Sequence, residues 1–241
     1  MTRTVIARMI EFTVSRRGAQ LVSLIKDGTE LICSGTRFWR YSAPTLFPIV
    51  GRLRDDRYTV NGKTYTLKQH GFARERDFIC IDDRPLTYRT AYDDDTLAVY
   101  PFKFALTVSF QPINNELIIT SRVHNLDDVD IWFSIGAHPA LRVPFVGGSF
   151  SDYRLEFNRD EHADRLILKN GLLTGERRPF LNGSSLPLSY DLFNDDALIF
   201  NNLNSDTLTV RNGKKSLSVR SLDCSSWGNN FVQSQGAKLF F

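Results

Sequence analysis

Apolar and polar positions alternate with a period of two along most of this chain, and the 3.6-residue period of an amphipathic helix is almost absent. "FTVSRRGAQLVSLI" predicts two strands around a turn at Arg17-Gly18. "YTVNGKTYTL" predicts a hairpin, Tyr58 to Val60 and Thr64 to Leu67. Its Asn61-Gly62 pair supplies the positive φ angles of a type I′ turn. "LTVRNGKKSLSVRSL" repeats the device at Asn212-Gly213. Between these lie "LTYRTAY", "TLAVYPFKFALTVSFQ", "ELIITSRVHNL" and "DIWFSI", each rich in β-branched and aromatic residues and each expected to be a strand. Turn signals separate them at Asp93-Asp94-Asp95, Asn114-Asn115 and Asp127-Asp128. Many short strands at close spacing predict an all-β, antiparallel sandwich or barrel with very little helix.

Composition narrows the class. With 241 residues the chain is long enough for a sizeable core without staples. No Pro/Ser/Gly-rich linker marks a boundary, so residues 1–241 are expected to form a single domain. The formal charge of +3 is mild and the basic residues are interspersed with acids, which argues against a nucleic-acid partner. Cys33, Cys80 and Cys224 lie far apart with no metal-type spacing. An odd count and no secretory h-region suggest reduced thiols and a cytoplasmic location. No apolar run approaches the roughly eighteen residues of a membrane span.

Four polar residues stand beside Gly or Pro at strand ends or in loops: Arg52 after "LFPIVG", His70 in "KQHGF", His138 in "GAHP" and Asp196 in "NDDALIF". Each has a plainer reading. Arg52 could be a solvated turn residue like its neighbours Arg54, Asp55 and Asp56. A lone His after a strand is often structural, and Asp195-Asp196 could be a turn pair. His124 and His162 read as turn or surface residues. Jointly, however, two histidines can divide labour, one holding a hydroxyl and the other passing a proton near neutral pH. An arginine and an aspartate offer sugar hydroxyls hydrogen bonds of opposite polarity. No G-x-S-x-G nucleophile motif, close-spaced metal-binding histidine pair or Gly-rich phosphate loop is present.

The segments "LFPIVGRLRDDRYTVNGKTYTLKQHGFAR", "VYPFKF", "FSIGAHPALRVPF" and "LFNDDALIF" resemble the aldose 1-epimerase (galactose mutarotase) family, in particular a bacterial branch associated with lactose-utilisation operons. The resemblance runs in order from about residue 10 to the end. It implies an antiparallel β-supersandwich with a sugar site on one concave face, and anomer interconversion of an aldose hexose or its phosphate without a cofactor or metal. The implied partner is a small sugar. Under it, His138 is the general acid that protonates the ring oxygen, His70 contacts the ring-oxygen side and orients the sugar, and Arg52 and Asp196 bind hydroxyls.

One element of the family pattern is missing. The family base is a glutamate in a C-terminal segment that reads like "GAPFICIEPW", and "SQGAKLFF", Ser234 to Phe241, resembles its beginning. The 241 residues are therefore expected to be C-terminally incomplete and to lack that base. Glu156, Glu161, Glu176 and Asp195 are substitutes outside any matching motif. A non-catalytic sugar-binding β domain is the alternative function. Arg37, Arg40, Arg54 and Arg74 are candidates for a phosphate grip.

Overall fold

A computed structural model of the chain describes residues 1–7, 10–35 and 39–221. They form two compact units, one ending at Leu141 and one beginning at Arg142.

The first unit contains two four-stranded antiparallel sheets. In one, β1 (Thr2–Ala7), β2 (Ile10–Ser15), β3 (Gln20–Lys26) and β4 (Thr29–Glu30) follow in chain order. Three short strands come next. β5 (Thr45–Leu46) lies among the site residues, and β6 (Arg57–Val60) pairs with β7 (Lys63–Thr66). The other sheet is a meander of β8 (Ile79–Asp83), β9 (Leu86–Ala91), β10 (Phe104–Ile113) and β11 (Glu116–Asn125). Alternation decides what each strand buries. Ile10, Phe12 and Val14 on β2 and Phe104, Leu106, Val108 and Phe110 on β10 belong to one core. Phe12 and Phe110 stack across it at 6.3 Å. Burying side chains of this size contributes about 1.5–3 kcal/mol each, so the paired faces are the main support of this unit.

The β6–β7 hairpin has the expected turn, with Asn61 and Gly62 both at positive φ (48° and 79°). Two expected strands differ. Asp93-Asp94-Asp95 is not a solvated turn but opens a helix, α1 (Asp94–Val99), so "TLAVYPFKFALTVSFQ" becomes strand only from Phe104. A capping box decides this. Asp93 accepts the Thr96 N–H at 3.0 Å, and the Thr96 hydroxyl accepts the Asp93 N–H at 2.9 Å. "DIWFSI" is not a strand either, and only Gly136–Ala137 (β12) pairs, with β5. The Ser134 N–H is taken by Pro48 O (2.8 Å) and its hydroxyl accepts from the Val50 N–H (3.0 Å), so this stretch is bonded to an irregular segment, not to a ladder.

The second unit is built on a long hairpin, β13 (Arg154–Lys169) and β14 (Leu172–Pro187), closed at Asn170-Gly171 with φ of 54° and 76°. β15 (Thr207–Asn212) pairs with β13, and β16 (Lys215–Arg220) pairs with β15. The β15–β16 turn sits one residue later than the Asn-Gly motif predicts. Asn212 pairs with Lys215, and Gly213 alone takes a positive φ (56°), as the first central residue of a type II′ turn. His162 lies within β13, opposite Asn182, and His124 within β11; neither is in a turn, and both are exposed at the surface as expected. Tyr153, Leu155, Phe157, Leu208 and Val210 are buried in this unit.

Candidate active site

Residues 44–51 of the first unit form a spine from which both candidate histidines are hung. At one end β5 pairs with β12, Leu46 opposite Gly136, and Pro44 O accepts the His138 N–H at 3.2 Å. At the other end Gly51 O accepts the His70 N–H at 2.8 Å. Between them Phe47 O accepts the N–H groups of Phe72 (3.0 Å) and Ala73 (3.1 Å), and Phe47 bridges to Gly71. This network brings the rings of His70 and His138 to a centroid separation of 5.9 Å, edge to face at 85°. His138 follows directly on β12, whereas β7 ends at Thr66 and His70 sits beyond it with a left-handed φ of 67°.

Glycine is needed beside His70 for a steric reason. A Cβ on Gly71 would stand 2.3 Å from Phe47 O and 2.7 Å from Pro48 Cδ. The absence of a side chain lets the His70 loop lie directly on the spine.

The chemistry of His70 is set by its surroundings. The Gly51 N–H donates to His70 Nδ1 at 3.0 Å. Nδ1 is thereby an acceptor, and the neutral ring carries its proton on Nε2. Burial is the main cause that lowers its pKa, with help from the Arg74 and His138 charges, to about 4. His138 is also lowered, again chiefly by burial. A hydrogen bond to its own backbone works against this, and the Arg74 charge adds to it. Around neutral pH the site therefore holds two uncharged imidazoles.

An aromatic column continues behind His138. Trp39 stacks on the His138 ring at 4.6 Å and 24°. Tyr41 meets Trp39 edge-on at 5.2 Å. The guanidinium carbons of Arg74 and Arg40 stand 4.7 and 4.9 Å from the Tyr41 ring centre. Glu75 ties the end of the column together, accepting from the Tyr41 hydroxyl, Arg40 and Arg17. Arg74 also donates to Gln69 O at 2.8 Å, next to His70. Sequence reading missed Trp39 and Tyr41. The signal available was the cluster of aromatic and basic residues in "FWRY".

The other expected residues are placed as follows. Arg52 adjoins Gly51, which bonds His70, and its Nε donates to Asp56 at 3.1 Å with 43% of its side chain exposed. Asp196 is in the second unit. There it is exposed at a left-handed φ of 79°, with Oδ1 accepting the Ala197 N–H at 2.7 Å and its carbonyl accepting from Arg165 at 3.2 Å. Of the substitute bases, Glu156 is paired with Arg154 and Arg211, and Glu176 with Arg178. Glu161 is 1% exposed and clamps the N–H groups of Asn204 and Ser205. Asp195 is exposed. Arg37 and Ser234 to Phe241 lie outside the described residues. Among the described residues no group of three or more His, Cys, Asp or Glu could hold a metal ion, and no helix is long and apolar enough to cross a membrane.

The family model for aldose 1-epimerase matches residues 4–221, and the chain belongs to that family. It is similar to protein LacX of Lactococcus lactis subsp. lactis, 34% identical over 219 residues that span 84% of this chain and 73% of that protein. A solved galactose mutarotase related enzyme from Lactobacillus acidophilus has 34% identity and a TM-score of 0.84, covering 90% of this chain and 75% of its own. A galactose mutarotase-like protein from Lactobacillus casei has 28% identity and a TM-score of 0.83, with 90% and 78% covered. The galactose mutarotase-like β-sandwich is thus the fold of this chain.

Proposed function

We propose that this chain binds an aldose hexose or its phosphate and interconverts its anomers by ring opening. The observation that carries the reading is the pair of imidazoles held edge to face at 5.9 Å, one with its tautomer fixed by a backbone N–H. His70, donating from Nε2, orients the sugar through an oxygen on the ring side. His138 protonates the ring oxygen, a base removes the proton of the anomeric hydroxyl, and the C1–O5 bond opens. Rotation about C1–C2 presents the other aldehyde face, and reclosure returns both protons. The family motifs assign Arg52 and Asp196 to sugar hydroxyls. A positioned acid or base contributes roughly 10²–10⁴-fold. All the chemistry is proton transfer, so no cofactor enters this scheme.

Polarimetry with freshly dissolved α-glucose, α-galactose and their 6-phosphates tests this. Accelerated mutarotation is expected for at least one of them. His138→Asn should retain sugar binding and lose most of that acceleration, because an amide does not donate a proton usefully near neutral pH. Undiminished turnover in a folded His138→Asn protein would refute the assignment.

A second reading, sugar binding without turnover, is favoured by one observation. Glu156, Glu161 and Glu176 are already engaged in ion pairs or a loop clamp, which leaves none of the three poised as base. Calorimetric sugar binding without any change in the rate of optical rotation would select it.

A further inference from the structure

We propose that Trp39 is a positioning residue for the reaction, its indole holding the His138 ring in plane and stabilising the imidazolium form from which a proton is donated. The inference rests on the reading of His138 as the acid. A general acid must be protonated for part of the time, and its surroundings oppose this. Burial disfavours the charged ring. Arg74, from the short turn Ala73–Glu75, places a fixed positive charge near it. His70 meets it edge-on from the loop after β7 and would repel it if both rings were charged. Its own backbone favours the charged form. Farther out, Arg40 and Glu75 are held at Tyr41, two rings away.

Trp39 adds an attraction to that of the backbone. Its ring lies 4.6 Å from the imidazole at 24°, a stacked arrangement in which the negative face of the indole meets the ring that gains charge. A neutral imidazole gains less from this contact than an imidazolium does. The contact therefore raises the proton affinity of His138 while excluding water from that side. Tyr41 fixes the indole edge-on, and Arg74 lies over Tyr41, so the cation that opposes His138 also braces the column that supports it. The stack also holds the ring plane, which fixes the direction in which the proton is given.

The test is an NMR titration of the four histidines in the parent protein, Trp39→Phe and Trp39→Leu, with His138 assigned from its loss in His138→Asn. Leu retains apolar cover but has no π face, so it separates stacking from water exclusion. Trp39→Leu should lower the His138 pKa by about 0.4–1.5 units, from the usual size of a cation–π contact. Trp39→Phe should lower it by less. The limb of the kcat profile that reports the acid should move by the same amount, with KM little changed. A His138 pKa unchanged or raised in Trp39→Leu overturns the proposal. If that variant does not fold, biosynthetic replacement of the three tryptophans by fluorinated analogues keeps the shape and weakens the π face. A stepwise fall of the His138 pKa with fluorination then supports the proposal, and no change refutes it. Failure of the acid assignment itself shows separately, as full turnover in His138→Asn.

Discussion

Substituting Gly71 by alanine isolates the contact that places the two histidines relative to one another. Two costs add. The residue sits at φ +68°, where a side chain costs roughly 1–2 kcal/mol. Its Cβ would also stand 2.3 Å from Phe47 O, a backbone atom already held by the N–H groups of Phe72 and Ala73. Relief needs a movement of about 1 Å to reach ordinary contact, and overpacking of this kind typically costs about 1–3 kcal/mol more. The expected loss is therefore about 2–5 kcal/mol. Gly62→Ala is the control. Its φ is +79°, but nothing lies within 4 Å of the added carbon, so it should lose only the backbone part, about 1–2 kcal/mol. Urea unfolding of both variants measures the difference directly. The rings of His70 and His138 should also move apart, and polarimetric turnover should fall further than the stability loss explains. Equal destabilisation of the two variants, or a Gly71→Ala protein with parental activity, would refute the argument that close approach to Phe47 sets the site.

Other outcomes follow from the same geometry. The pKa of His70 falls from an ordinary 6.5 to about 4 on folding, so the unfolded chain takes up more protons between those values. Its contribution is complete above pH 6.5 and is lost as pH falls toward 4, on the order of 1–3 kcal/mol. Urea midpoints measured from pH 7.5 to 4 should show this, and His70→Asn, which tolerates the left-handed backbone, should flatten the curve. An identical slope in that variant would exclude His70 as the source. Glu161→Gln should destabilise the second unit by about 1–3 kcal/mol, because one carboxamide cannot accept both the Asn204 and Ser205 N–H groups as the buried carboxylate does. Hydrogen exchange at those two amides should rise, and unchanged protection would show that the clamp is dispensable.

What the sequence determined by itself was whatever depends on neighbours along the chain. The period-two pattern specified β2, β9, β10 and β11, and Asn61-Gly62 specified its turn, because alternation and positive φ are local properties. The same local chemistry was available but unread at Asn170-Gly171, and at Asp93 with Thr96, where a capping box outweighs the β-branched residues that follow. The motifs around His70 and His138 marked both residues as candidates. Tertiary structure alone decided how they meet. "DIWFSI" has strand chemistry, yet its Ser134 bonds to Pro48 and Val50, partners more than eighty residues away in the chain that no local pattern reports. Likewise the His70 tautomer depends on the Gly51 N–H, and the His138 environment on Trp39 and Arg74. Proton affinity and ring orientation are set by burial, stacking and charge at close range in space, and those distances exist only once residues 44–51 have gathered the remote segments onto one spine.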